Sequence, residues 1–197
     1  MGDGHGLILT ADKDIKTIDK NYCLLKKSSI KFILQNLRPM LNSIGLHKEK
    51  ALHLSNDLNK LLANFQQYYL NLRGIHWNIR GKRFFNLHEK FEELYTDANT
   101  KVDEIAERIL TLGGIPYHTF PDYDANSKVP MGKNITQDED AIRLIVDSLT
   151  QLLLIERKIM ESSDDMNDEG TNAMMSDFIS EQEKTVWMMK AWLTEDI

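Results

Sequence analysis

Between Phe84 and Leu112 the apolar residues fall three or four positions apart without a break: Phe84, Leu87, Phe91, Leu94, Ala98, Val102, Ile105, Ile109 and Leu112. That spacing follows the α-helical turn of about 3.6 residues and rules out a strand, whose faces alternate at every second residue. The stripe stops at Gly113-Gly114, where the missing side chains let the backbone leave the helix. Leu54, Leu58, Leu61, Phe65, Tyr68, Leu72 and Ile75 form an equally clean stripe upstream. Ile142, Ile145, Leu149, Leu152 and Ile159 form a third, and Met175, Phe178, Ile179, Val186, Met189 and Leu193 a fourth. Helices are therefore predicted over about 48–77, 82–112, 137–163 and 169–193. A helix with one apolar stripe must bury it against a neighbour, so four in one chain predict an all-α four-helix bundle.

The connection over 113–136 is long for a bundle. It contains Pro116, Pro121 and Pro130, and a short extra helix is predicted over about 122–127. A crossover of this length allows the second and third long helices to run parallel. The chain has 197 residues, 42% hydrophobic and 27% charged, which suffices for one domain with a substantial core. No apolar run approaches the ~18 residues of a membrane span, so no membrane partner is expected. Cys23 is the only cysteine, which excludes an intrachain disulfide and fits a cytoplasmic location.

Residues 1–39 read differently from the rest. They hold seven Lys or Arg against four Asp, a balance of +3, which leaves −9 on the remaining residues within the total of −6. Met1-Gly2-Asp3-Gly4-His5-Gly6 opens without periodicity, and Lys26, Lys27 and Lys31 break the apolar run a secretory signal needs. Residues 1–39 are expected to be a basic N-terminal extension, either disordered or upstream sequence from a misassigned start, ahead of a folded domain over 40–197. An acidic body of this kind suits cation storage, and it equally suits plain solubility.

The polar residues flanking the second stripe carry the chemistry. At ~100° per residue, His88, Glu92, Asp103 and Glu107 point at ~0°, 40°, 60° and 100°, one face of a single helix. His76 follows Ile75, the last residue of the preceding stripe, and completes a set of two imidazoles and three carboxylates. Eleven residue steps separate Glu92 from Asp103, a rise of ~16 Å. Metal–ligand bonds are ~2 Å long, so one ion cannot join both pairs on one helix. A second, antiparallel copy related by a two-fold axis brings Asp103 and Glu107 beside His88 and Glu92, and makes the same site twice. Imidazole with carboxylate and no thiolate suits iron, zinc or manganese. Taken singly, each of these side chains reads as well as a solvated charge or a packing histidine. Acidic i, i+4 pairs repel unless a cation lies between them.

Longer motifs surround these residues. They are His76-Trp77-Asn78-Ile79-Arg80-Gly81, Phe84-Phe85-Asn86-Leu87-His88-Glu89-Lys90-Phe91, Asp103-Glu104-Ile105-Ala106-Glu107-Arg108 and Leu112-Gly113-Gly114-Ile115-Pro116. With Trp187-Met188-Met189-Lys190-Ala191-Trp192-Leu193 they closely resemble the Dps family of small ferritin-like proteins from starved bacterial cells, over roughly residues 40–197. The resemblance implies a ferritin-like bundle and a homo-oligomer, a dodecameric shell. It implies a ferroxidase in which His76, His88 and Glu92 of one subunit, with Asp103 and Glu107 of another, bind iron as Fe(II). Hydrogen peroxide, or dioxygen more slowly, then oxidises it, ferric iron is stored inside, and DNA is protected from oxidative damage. Interior carboxylates such as Glu89 and Glu93 are expected to assist mineral growth.

Glu92 stands where the family usually has Asp; it keeps the charge and adds one methylene of reach, and Glu89 or Glu93 can contribute if it points elsewhere. Conventional ferritin subunits carry inward Glu-x-x-His motifs, and this chain has none, which favours a site between subunits. The resemblance also makes Trp77 an oxidisable neighbour of the site; it reads equally well as an aromatic wedged at a subunit contact. It makes Asp164 and Asp168 pore acids, with Ala173 where another acid is common. Asp168 or Asn167 is alternatively the N-cap of the last helix. Lys13, Lys16, Lys20, Lys26, Lys27, Lys31 and Arg38 are candidate phosphate contacts for DNA, a possible partner. The rival function is a structural, DNA-condensing shell with little ferroxidase activity.

Overall fold

The computed structural model of the chain describes residues 40–194, together with Lys31. The basic extension predicted over 1–39 lies outside the described residues apart from Lys31. Four long helices and one short one follow: α1 (Lys48–Asn78), α2 (Phe84–Leu112), α3 (Phe120–Asn126), α4 (Asp138–Asp164) and α5 (Glu169–Leu193). The described residues contain no strand. The four stripes read from the sequence supply the core, with Leu58, Leu61, Phe65, Leu72, Phe91, Ile105, Ile109, Leu152 and Met175 excluded from solvent.

Side-chain pairings give the directions. His76 meets His88, and Tyr69 meets Tyr95, so α1 and α2 are antiparallel. Lys101 reaches Glu181 and Arg108 reaches Asp168, so α2 opposes α5. Glu156 meets Gln182 and Met160 meets Asn172, so α5 opposes α4. Helices α2 and α4 therefore run parallel, which only a crossover along the length of the bundle can achieve. Phe65 and Phe178 close the centre edge to face, with ring centroids 5.9 Å apart.

The crossover is tied to α1 by three buried asparagines. Asn59 accepts from the Tyr117 N–H and donates to the Ile115 carbonyl. Asn64 accepts from the N–H groups of Lys128 and Val129, and Asn71 bridges the Gly132 N–H and the Pro130 carbonyl. An amide offers a donor and an acceptor side by side, as a peptide unit does, so each one satisfies loop backbone that would otherwise be orphaned. The crossover starts at Gly113, whose φ of 93° needs glycine, and the Gly114 N–H returns to the Ile109 carbonyl at 2.9 Å. A Cβ on Gly114 would sit 2.5 Å from the Ser55 hydroxyl, so this glycine also lets the loop lie against α1. Helix α3 starts two residues before its predicted position because Thr119 caps it and Pro121 fits its first turn.

A polar pair crosses the α4–α5 interface. Glu156 is fully excluded from solvent, and the Gln182 amide donates to its Oε1. Glu156 Oε2 and Gln182 Oε1 have no hydrogen-bond partner among the described residues. Burial raises the Glu156 carboxyl from 4.5 to about 7, against the opposing effects of Gln182, Lys101 and Arg157. A carboxyl with a folded pKa above its unfolded one favours folding below about pH 4.5, and that contribution fades as pH rises through 7. The melting temperature is therefore expected to fall between about pH 5 and pH 8, by the equivalent of about 3 kcal/mol per subunit. Glu156→Gln, a permanently neutral isostere, should flatten this slope, and an unchanged slope in calorimetry would reject the assignment.

Candidate metal centre

His76 lies in the last turn of α1 and His88 in the second turn of α2. The short turn over 79–83, with Gly81 at a φ of 122°, folds α2 back along α1 and brings the two imidazoles together. Their rings stack with centroids 3.8 Å apart and planes 19° from parallel. Phe84 stacks on His88 at 4.9 Å. His76 Nδ1 lies 2.8 Å from the His88 carbonyl, and His88 Nδ1 lies 2.9 Å from the His76 carbonyl. A carbonyl only accepts, so each Nδ1 carries the hydrogen and donates. In the neutral ring Nε2 then keeps its lone pair, the tautomer a metal ligand requires. The exchange is reciprocal, so each ring is held by the backbone of the other helix.

Glu92 follows His88 by one turn and shares its face. One ligand atom from each of His76, His88 and Glu92 lies within 4.8 Å of the other two. An ion bonded at about 2 Å holds its donors roughly 3–4 Å apart, so rotamer-scale shifts are enough to close the set. Two imidazoles and a carboxylate suit iron, zinc or manganese and leave further positions open. The same chain does not bring Asp103 and Glu107 to this cluster. Both are exposed on α2, three turns and more beyond Glu92.

Tyr95 belongs to this neighbourhood, although it lies outside the motifs quoted above. Its hydroxyl donates to Glu92 Oε1 at 3.3 Å, and its ring meets His76 edge-on at 5.2 Å. Burial, and then the Glu92 charge, raises its phenol, which therefore stays a donor. Its signal in the sequence was the three-residue step from Glu92, one turn of the same helix face. Glu93 is paired with Lys90 at 2.7 Å, and Glu89 is exposed. Together with Glu92, Thr96, Asp97 and Thr100 they line an open acidic groove along α2. Trp77 is 64% exposed, and the Arg73 guanidinium lies over its ring at 4.6 Å.

The acidic turn before α5 separates into two roles. Asp168 is the N-cap, accepting from the Thr171 N–H at 3.1 Å, and it is 3% exposed. Its carboxylate is also bonded to Arg108 and to the Thr171 hydroxyl. Those three partners occupy the carboxylate within the subunit, against the pore role expected for it, while Asp164 stays exposed. Burial alone would raise Asp168, but Arg108 and Thr171 outweigh it and hold the carboxyl below its ordinary range.

Comparisons with known proteins show the family to which the chain belongs. The family model for the ferritin-like domain matches residues 55–196. A "DNA protection during starvation protein" from Porphyromonas gingivalis is 40% identical over 159 residues, covering 81% of this chain and 100% of the relative. An uncharacterised protein from Haemophilus influenzae is 45% identical over 149 residues, 76% of this chain and 93% of that one. The crystal structure of the DPS protein from Vibrio cholerae O1 superposes with a TM-score of 0.77 at 48% identity, covering 78% of this chain and 97% of its own. It is described as a member of a broad superfamily of ferritin-like diiron-carboxylate proteins. The chain belongs to the Dps family of ferritin-like proteins. No described helix is long and apolar enough to cross a membrane.

Proposed function

We propose that this protein stores iron and protects DNA by oxidising Fe(II) with hydrogen peroxide at sites shared between two copies of the chain. The observation that carries the reading is the His76–His88–Glu92 cluster, with both Nε2 atoms left as acceptors and three protein donors brought together among the described residues of one chain. Iron is the substrate here. His76, His88 and Glu92 of one subunit bind Fe(II), and Asp103 and Glu107 of the two-fold partner complete the set. The carboxylates offset the charge that iron gains on becoming ferric. Paired sites matter because two Fe(II) supply two electrons. With two protons they take one peroxide to two waters, so no hydroxyl radical is released. The acidic groove of Glu89, Glu93 and Asp97 offers the ferric product its first ligands beyond the site.

The assembly is a dodecamer of tetrahedral symmetry, enclosing the mineral. Two measurements test the reading together. Sedimentation should give a particle about twelvefold heavier than the 22.8 kDa chain. Anaerobic protein loaded with Fe(II) and mixed with peroxide in a stopped flow should consume about two Fe(II) per peroxide, with little spin-trapped hydroxyl radical. A ratio near one, with abundant trapped radical, would remove the ferroxidase reading. The rival, a DNA-condensing shell, draws its motivation from Glu92 in place of the usual Asp together with the basic residues 1–39, of which only Lys31 lies among the described residues.

A further inference from the structure

Glu92 is the exposed member of the cluster, and it is one methylene longer than aspartate. A longer, solvent-facing side chain samples more rotamers, and ordering it against a metal costs entropy. Tyr95 supplies what the backbone does not. Its ring is held between two others, edge-on to His76 at 5.2 Å and edge-on to Tyr69 at 6.2 Å. Tyr69 is in turn anchored from the same helix as His76, because Arg73 donates to its hydroxyl at 3.3 Å and lies over its ring at 5.2 Å. The Tyr95 hydroxyl then meets Glu92 Oε1 at 3.3 Å, which leaves Oε2 for an ion.

We propose that Tyr95 is the positioning residue that fixes the Glu92 carboxylate for the metal ion. The inference rests on the metal-site reading above and goes beyond it, since Tyr95 touches the ligand and not the ion. Helix α1, through Arg73, Tyr69 and His76, fixes the Tyr95 ring, and Tyr95 fixes a ligand on its own helix. Hydrogen-bond partners of metal ligands typically account for about ten- to a hundredfold in metal affinity.

A double-mutant cycle on the full assembled protein tests this, with anaerobic Co(II) titration followed by its absorption bands. Tyr95→Phe keeps the ring contacts and removes only the hydroxyl. It should weaken Co(II) about tenfold while leaving the melting temperature within about 2 °C. In Glu92→Asp the carboxylate is withdrawn from the hydroxyl, so adding Tyr95→Phe should change affinity less than about twofold. An equal loss in both backgrounds, or no loss in the parent, overturns the proposal. Glu92→Gln with parental affinity overturns it differently, because the metal-site reading itself then fails.

Discussion

Assembled protein carrying His88→Ala, and separately protein carrying Asp103→Ala, should oxidise Fe(II) with peroxide about a hundredfold more slowly than the parent, or slower still. The two substitutions reach the same result by different routes. Removing His88 deletes one Nε2 donor and the ring stacked on His76 at 3.8 Å, so the remaining imidazole loses a wall as well as a partner. Asp103 is exposed and makes no hydrogen bond or ion pair with any described residue. Its removal therefore leaves the subunit intact, and an unchanged melting temperature is expected beside the lost activity. A purely structural shell predicts the same stability for Asp103→Ala but an unaltered rate.

Arg108→Ala should be the most damaging substitution for the fold outside the apolar core. Arg108 reaches from α2 to the start of α5, where Nε donates to the Thr171 hydroxyl at 2.8 Å and the guanidinium pairs with Asp168. A Cβ on Gly170 would stand 3.0 Å from that guanidinium, so the glycine makes room for it. Truncation leaves a carboxylate that is 3% exposed without its cation. Breaking such a pair typically costs about 3–5 kcal/mol, and the retained Thr171 bonds place this case near the lower end. The melting temperature should fall by about 10 °C. The sign with pH is fixed by Asp168. Its lowered pKa gives stability that is present above its ordinary value of 3.8 and lost as pH falls through the folded value. The penalty of Arg108→Ala should thus be largest near neutrality and shrink in acid. A drop under about 2 °C at pH 7 would show that the pair contributes little.

Most of the architecture was legible because long helices announce themselves by period. Gln137 to Ser163 and Glu169 to Leu193 were bounded within about a residue, since acidic first turns and the Asp168 cap mark where α4 and α5 begin. The misses follow one pattern. Lys101 lies between Ala98 and Ile105 on the core register and is 4% exposed, whereas Val102, read as core, is half-buried. Hydrophobicity alone passes over a lysine, although its aliphatic stem packs well and its ammonium reaches Asp97 and Glu181. Desolvation opposes that charge, and the two carboxylates outweigh it and raise the Lys101 pKa. Glu156 and Gln182 are hidden in the same way, each standing a turn from core residues on its own stripe. Polar residues in apolar register were a signal that a strictly hydrophobic reading discards.

The candidate centre was half legible by construction. Spacing brought Glu92 to His88, and the turn over 79–83 brought His76 to both. The reciprocal bonds from each Nδ1 to the other helix's carbonyl depend on how two helices sit against each other, which no spacing rule encodes. The same holds for the asparagines of α1. Their positions carry no motif, and their purpose appears only once the crossover lies beside them.

The sharing of each site between two chains is the claim on which the functional account stands, and mixed assembly tests it most directly. Denatured His88→Ala and Asp103→Ala subunits are refolded together in equal amounts, and Fe(II) oxidation by peroxide is compared with that of each variant assembled alone. Half of the random dimers are then mixed, and each mixed dimer holds one site with every ligand and one lacking two, so activity should recover to about a quarter of the parent. Recovery no greater than the mean of the two inactive parents would contradict a site built from two subunits.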